Sequence, residues 1–285
     1  MKVYSMNLYD YFNVKAPENA GGILTCYVPD VNAEVNAERN NPAMLVIPGG
    51  GYGFISMREA EPVALKYISY GFTSFVLDYS ISPVRYPYCL VEAIMAMNYI
   101  RLNAEELHID PEMVAAVGFS AGGHLCGMLG SYYDSPEAAE IFKPKTSARP
   151  NAVILSYPVI TCGPKAHQGS FDNLCGNDVA LMEKLSVPNL VNKNSSPAFI
   201  WATRDDGGVP VYNSLAAALA YEREGLPFSV HIYGKGWHGT SVADLTVYND
   251  KMYKDLTASD FTPSIPTWVE LSVEWMKEQG IAIKD

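Results

Sequence analysis

One stretch limits this chain more than any other: Val117-Gly118-Phe119-Ser120-Ala121-Gly122-Gly123-His124. It reads Gly-x-Ser-x-Gly, follows the apolar run 113–117 and opens a small-residue segment over 121–131. A strand that turns at once into a helix leaves no room for side chains beside the turn, so the flanking glycines and the serine between them describe a nucleophile elbow. Ser120 is then expected to project above the end of a sheet. A bare Gly-x-Ser-x-Gly also occurs in ordinary glycine- and serine-rich loops. The buried-strand pattern before it and the compact helical segment after it favour the elbow.

The rest of the chain supplies a scaffold to match. Apolar, β-branched and aromatic runs at 43–47, 72–79, 151–156, 198–203 and 228–233 predict strands, and 3–9 and 23–28 predict two more ahead of them. Helical spacing predicts helices over 58–70, 90–103, 121–131, 211–224 and 268–279, the last with Leu271, Trp275 and Met276 inward. Strand and helix alternate, which implies an α/β fold with a mostly parallel central sheet and helices on both faces. At 285 residues and 48% apolar content the chain is expected to form one domain over 1–285. Residues 157–197, rich in Pro, Gly and Asn, read as a lid or partial cap inserted in it. Residues 248–262 read as a second irregular segment.

A second informative place follows the strand at 43–47: Pro48-Gly49-Gly50-Gly51-Tyr52-Gly53. Glycines free backbone N–H groups to face an anion, and a loop after such a strand is where acyl-transfer chemistry places its oxyanion donors. Gly50 and Gly51 are the expected donors, with Ala121, the residue after Ser120, as their partner. A phosphate loop is the competing reading. It lacks both the Gly-Lys-Ser/Thr ending and the Gly-x-Gly-x-x-Gly spacing.

These motifs, with Ile109-Asp110-Pro111 ahead of the elbow, resemble the α/β-hydrolase superfamily over residues 43–279. Within it the chain is similar to small esterases that include acetylxylan and feruloyl esterases and the hormone-sensitive-lipase-like group. Pro48 stands where the lipase-like group has a histidine, but the donors themselves are backbone groups. The resemblance implies an acid and then a histidine after the serine. His238, in Gly234-Lys235-Gly236-Trp237-His238-Gly239, follows the last strand and is the expected base. Two acids compete after the strand at 198–203, Asp205 and Asp206, and the family spacing before Val209-Pro210 selects Asp206. Its task is to hold the histidine tautomer and stabilise the imidazolium. His124 is expected to pack beneath the elbow, His231 and His108 to be structural, and His167 to be a solvated loop histidine in preference to one that touches substrate.

The implied function is a serine esterase acting on short acyl esters through an acyl-enzyme, with an acetylated, xylan-derived carbohydrate as the suggested substrate. It needs no metal and no organic cofactor. A peptidase or amidase on the same scaffold, and a noncatalytic binding protein that kept the fold, are the alternatives. A formal charge of −11 with no basic run argues against nucleic acid and anionic membranes as partners, and the oligomeric state stays open. Five scattered cysteines without a Cys-x-x-Cys pair fit neither a disulfide framework nor a zinc site. With no apolar leader in residues 1–12 and no membrane-length run, the chain reads as cytoplasmic.

Overall fold

The computed structural model describes residues 1–34, 39–244, 246, 247 and 264–282. Eight strands form one sheet in the order β1-β2-β4-β3-β5-β6-β7-β8. They are β1 (Lys2–Asn7), β2 (Ile23–Val28), β3 (Asn41–Ile47), β4 (Thr73–Asp78), β5 (Ile109–Phe119), β6 (Ala152–Ser156), β7 (Ala198–Thr203) and β8 (Phe228–Tyr233). β1 and β2 run antiparallel to their neighbours, and β4 to β8 with β3 pair in parallel.

The central strands are near-continuous apolar runs because both of their faces are covered. Period-2 alternation sorts them. Leu45, Ile47, Ala116, Val153, Leu155 and Ile200 face one core, and Met44, Val46, Val117, Ile154, Phe199 and Trp201 face the other. The first core is closed by α3 (Tyr88–Leu102), α4 (Ala121–Tyr132) and, after the short α5 (Pro136–Ile141), by residues of α9 (Tyr212–Glu224). The second is closed by α2 (Glu61–Ile68) and α10 (Trp268–Glu278). There Trp268 stacks on Trp201 at 5.0 Å, a contact that contributes roughly 1 kcal/mol beyond its burial. Met276 is fully buried and Trp275 nearly so, as the spacing predicts, whereas Leu271 faces outward at 38% exposure.

Three elements differ from expectation. The strand expected to reach residue 9 stops at Asn7, whose Oδ1 accepts the N–H groups of Tyr9 and Asp10 and so starts α1 (Leu8–Phe12). The polar cap competes with the strand ladder and wins. The helix expected over 58–70 begins only at Glu61, because Pro62 takes a first-turn position and Ala60 leaves helical geometry. Met57–Glu59 form a separate 3-10 turn instead. Residues 157–197 are also more regular than their composition implies, holding α6 (Gln168–Cys175), α7 (Val179–Leu185) and α8 (Val187–Leu190). The second irregular segment, 248–262, lies outside the described residues.

All five cysteines are free thiols, and Cys162 alone among them is not buried. Among the described residues no helix is long and apolar enough to cross a membrane.

Candidate active site

Where β5 ends, the backbone turns on Ser120 with φ 53° and ψ −116°, a conformation that costs a non-glycine residue roughly 1–3 kcal/mol. Several contacts hold it there. Its N–H donates to Ser156 O at 3.0 Å, and its carbonyl accepts the N–H groups of His124 and Val159. The flanking glycines are required sterically. A Cβ on Gly118 would lie 2.2 Å from Gly122 O, and one on Gly122 would lie 2.2 Å from both Ile47 O and Pro48 O. α4 therefore seats directly against the end of β3, and Ser120 stands at its N-terminus.

Two loops from the far end of the sheet reach this serine. After β8, His238 places Nε2 at 2.7 Å from Ser120 Oγ. After β7, Asp206 places Oδ2 at 2.8 Å from His238 Nδ1. The other carboxylate oxygen of Asp206 accepts the N–H groups of Gly208 and Val209, both at 2.8 Å, so the buried side chain is fixed in its turn. Asp205 points to the surface, 3.4 Å from Arg204. The structure thus brings residues 120, 206 and 238 into one hydrogen-bonded chain and leaves Asp205 out of it. Gly208 eases the approach, since a Cβ there would come 3.0 Å from the His238 side chain.

Facing Ser120 is a cavity of about 490 Å³ whose walls include Gly50, Gly51, Phe54, His167 and His238. Gly50 turns its carbonyl away, accepting the N–H groups of Gly53 and Phe54, and Asn173 Nδ2 donates to Gly51 O at 2.9 Å. Among the described residues, the N–H groups of Gly50, Gly51 and Ala121 have no protein acceptor. A negatively charged oxygen near Ser120 would meet unspent donors and the N-terminus of α4. Among the described residues no group of three or more His, Cys, Asp or Glu side chains is placed to hold a metal ion.

His124 packs under the elbow as expected. It is buried between Tyr52 Oη and Leu185 O, each 2.9 Å from a ring nitrogen. Burial lowers its pKa to about 4, with the Leu185 carbonyl opposing. His231 is structural, stacked on Phe199 and paired with Ser229 Oγ, and His108 is exposed. His167 departs from expectation. Instead of standing in solvent it is half-buried in the cavity wall, its Nδ1 held 2.8 Å from Ser170 Oγ on the first turn of α6. Partial burial and the neighbouring His238 lower its pKa, with Asp206 opposing.

Residues that the sequence reading did not single out complete the surroundings. Glu59 is buried, with Oε2 accepting Gly49 N–H at 2.9 Å and Oε1 accepting the Tyr157 hydroxyl at 2.7 Å. The Tyr157 ring meets His238 edge-on at 5.1 Å. Burial, reinforced by the Glu59 charge, pushes the Tyr157 pKa well above its ordinary value, so the phenol stays a donor. Pro62 was the available signal that Arg58 and Glu59 do not belong to α2.

Residues 29–221, more than half of the chain, match the BD-FAE family. The chain belongs to that family. This BD-FAE protein is 35% identical over 248 residues to endo-1,4-beta-xylanase B of Butyrivibrio fibrisolvens, covering 83% of this chain and 38% of the relative. It is 27% identical over 263 residues to an acetylxylan esterase of Xylanibacter ruminicola, covering 90% of this chain and 51% of the relative. The chain therefore spans about half or less of these two curated relatives. Among solved structures it is similar to an acetyl ester-xyloside bifunctional hydrolase from Caldicellulosiruptor lactoaceticus, with TM-score 0.79, 32% identity, and 98% and 97% of the two chains covered. The sheet order and this likeness give the BD-FAE protein the α/β-hydrolase fold.

Proposed function

We propose that the chain is a serine esterase that hydrolyses short acyl esters, with acetyl groups on xylan-derived or related carbohydrates as the substrate class. The observation that carries this is the hydrogen-bonded chain from Ser120 through His238 to Asp206, opening on a cavity lined by Gly50 and Gly51. His238 Nε2 takes the Ser120 proton as Oγ attacks the ester carbonyl, and Asp206 stabilises the resulting imidazolium. Gly50, Gly51 and Ala121 donate to the oxyanion. The imidazolium returns its proton to the leaving alkoxide, freeing the alcohol and leaving an acyl group on Ser120. Water, deprotonated by the same histidine, then releases the acid and restores the serine. The carbohydrate part of the proposal draws on the names of the xylanase and acetylxylan esterase relatives. Residues 157–197, which supply His167 and Asn173 to the cavity wall, act in this proposal as the partial cap that selects the alcohol.

The test is turnover of acetylated xylo-oligosaccharides, p-nitrophenyl acetate and a peptide anilide by the wild-type chain and by Ser120→Ala. Acetate release from both esters should be lost in the variant by roughly three orders of magnitude or more. Retained ester turnover in Ser120→Ala would refute the nucleophile. Preferred cleavage of the anilide would favour amide chemistry instead.

A further inference from the structure

We infer that Glu59 is a positioning residue that holds the glycine loop and the histidine loop at the separation ester hydrolysis needs, an inference that rests on the esterase reading above. Glu59 lies in the 3-10 turn Met57–Glu59, between the glycine loop and α2, and is only 3% exposed. Its two oxygens serve two different loops. Oε2 takes the N–H of Gly49, the residue before the expected oxyanion donors, and Oε1 takes the hydroxyl of Tyr157. Tyr157 Oη in turn accepts Ser241 N–H at 2.9 Å, three residues after His238. The neighbouring residue of the same turn grips that loop as well. Arg58 Nη1 donates to Gly239 O, and Ser241 Oγ donates to Arg58 O, both at 2.6 Å.

The contacts are close to the serine. A Cβ on Gly49 would meet Glu59 Oε2 at 2.6 Å and Ser120 Cβ at 3.0 Å, so the carboxylate, the glycine loop and Ser120 share one layer. A buried negative charge this near a developing oxyanion is an electrostatic cost. Chemistry explains why a carboxylate stands there nonetheless. A glutamine has one acceptor oxygen, so its NH2 would confront either the Gly49 N–H or the Tyr157 O–H. Only an acid accepts both donors and ties residues 49, 157 and 241 into one unit. The glycine loop is then fixed at Gly49 by Glu59 and at the Gly50 carbonyl by Gly53 and Phe54, and Gly50 and Gly51 stand in the cavity wall with no protein acceptor for their N–H groups among the described residues.

The experiment measures turnover of a small acetyl ester per reactive Ser120, counted by fluorophosphonate titration so that unfolded protein is excluded. Glu59→Gln should lower kcat per titrated site roughly 10- to 100-fold, because displacing an oxyanion donor or base by a fraction of an ångström is costly while ground-state binding is spared. KM should stay within about threefold. Tyr157→Phe, which keeps the ring against His238, should fall in the same way, and the double variant should be no worse than the poorer single one. Should Glu59→Gln fail to fold, Tyr157→Phe carries the same readout. Per-site turnover equal to wild type in the folded variants would overturn the inference alone. A wild-type chain that neither takes the probe nor releases acetate would overturn the esterase reading and this inference with it.

Discussion

Replacing Asp206 with Asn tests the site through a change of one atom, and its consequence can be worked out from the hydrogen bonds. One carboxylate oxygen of Asp206 accepts two backbone N–H groups, from Gly208 and Val209, and the other faces His238 Nδ1. An asparagine in the same place must keep its carbonyl toward the two N–H donors, since its NH2 would clash with both. The NH2 is then forced toward His238. Nδ1 must become an acceptor, which moves the ring proton to Nε2 and leaves that nitrogen unable to take the Ser120 proton. The fold should survive, because the turn keeps its bonds. Ester turnover should fall roughly 10³- to 10⁴-fold, equivalent to about 4–5 kcal/mol of transition-state stabilisation. Asp205→Asn, at the surface, should stay within about twofold of wild type, as expected for an exposed charge. Initial rates of acetate release on both variants provide the assay. A loss below tenfold in Asp206→Asn, or equal losses in the two, would mean that Asp206 does not set the His238 tautomer.

Two further outcomes concern stability. Gly122→Ala would drive a Cβ to 2.2 Å from the Ile47 and Pro48 carbonyls; it should lower the chemical-denaturation free energy by roughly 3 kcal/mol or more, whereas an unchanged midpoint would mean that α4 does not sit on β3 as described. Burial moves two groups past each other on the pH scale: His124 is lowered to about 4, and buried Glu92, which accepts from Tyr9 and Ser80, is raised to about 7. The His124 contribution is present above pH 6.5 and is lost as pH falls toward 4, while that of Glu92 is present below pH 4.5 and is lost as pH rises toward 7; each amounts to roughly 3 kcal/mol. Between pH 4.5 and 6.5 the two nearly cancel. Unfolding free energy should therefore rise with pH across that window in Glu92→Gln and fall in His124→Phe, and parallel curves for both variants and wild type would contradict the assignment.

Much of this was legible because it is local. The elbow needs its glycines within a few residues of Ser120, and strands buried on both faces announce themselves as apolar runs, so β3 to β8 and α4 could be read directly. The parallel direction of the central strands followed from the alternation of elements, whereas their order in the sheet did not. What escaped depends on contacts that no local pattern carries. The roles of Glu59 and Tyr157 arise from partners 98 and 84 residues away in sequence. Asp205 and Asp206 are neighbours of identical chemistry, and they part only where the turn hands two N–H groups to one of them. His167 looks like a solvated histidine until the Ser170 hydroxyl on α6 turns its ring inward. Two boundaries do carry a local signal: Asn7 with its cap bonds ends the first strand, and Pro62 marks the start of α2.

If Ser120 is the nucleophile, it carries the acyl group during turnover. Rapid acid quench during turnover of an acetyl ester, followed by proteolysis and mass mapping, tests it directly. An acetyl adduct should form on the peptide containing Ser120, accumulating before steady state and absent from Ser120→Ala. Turnover at full rate with an adduct elsewhere, or with the same adduct pattern in Ser120→Ala, would contradict it.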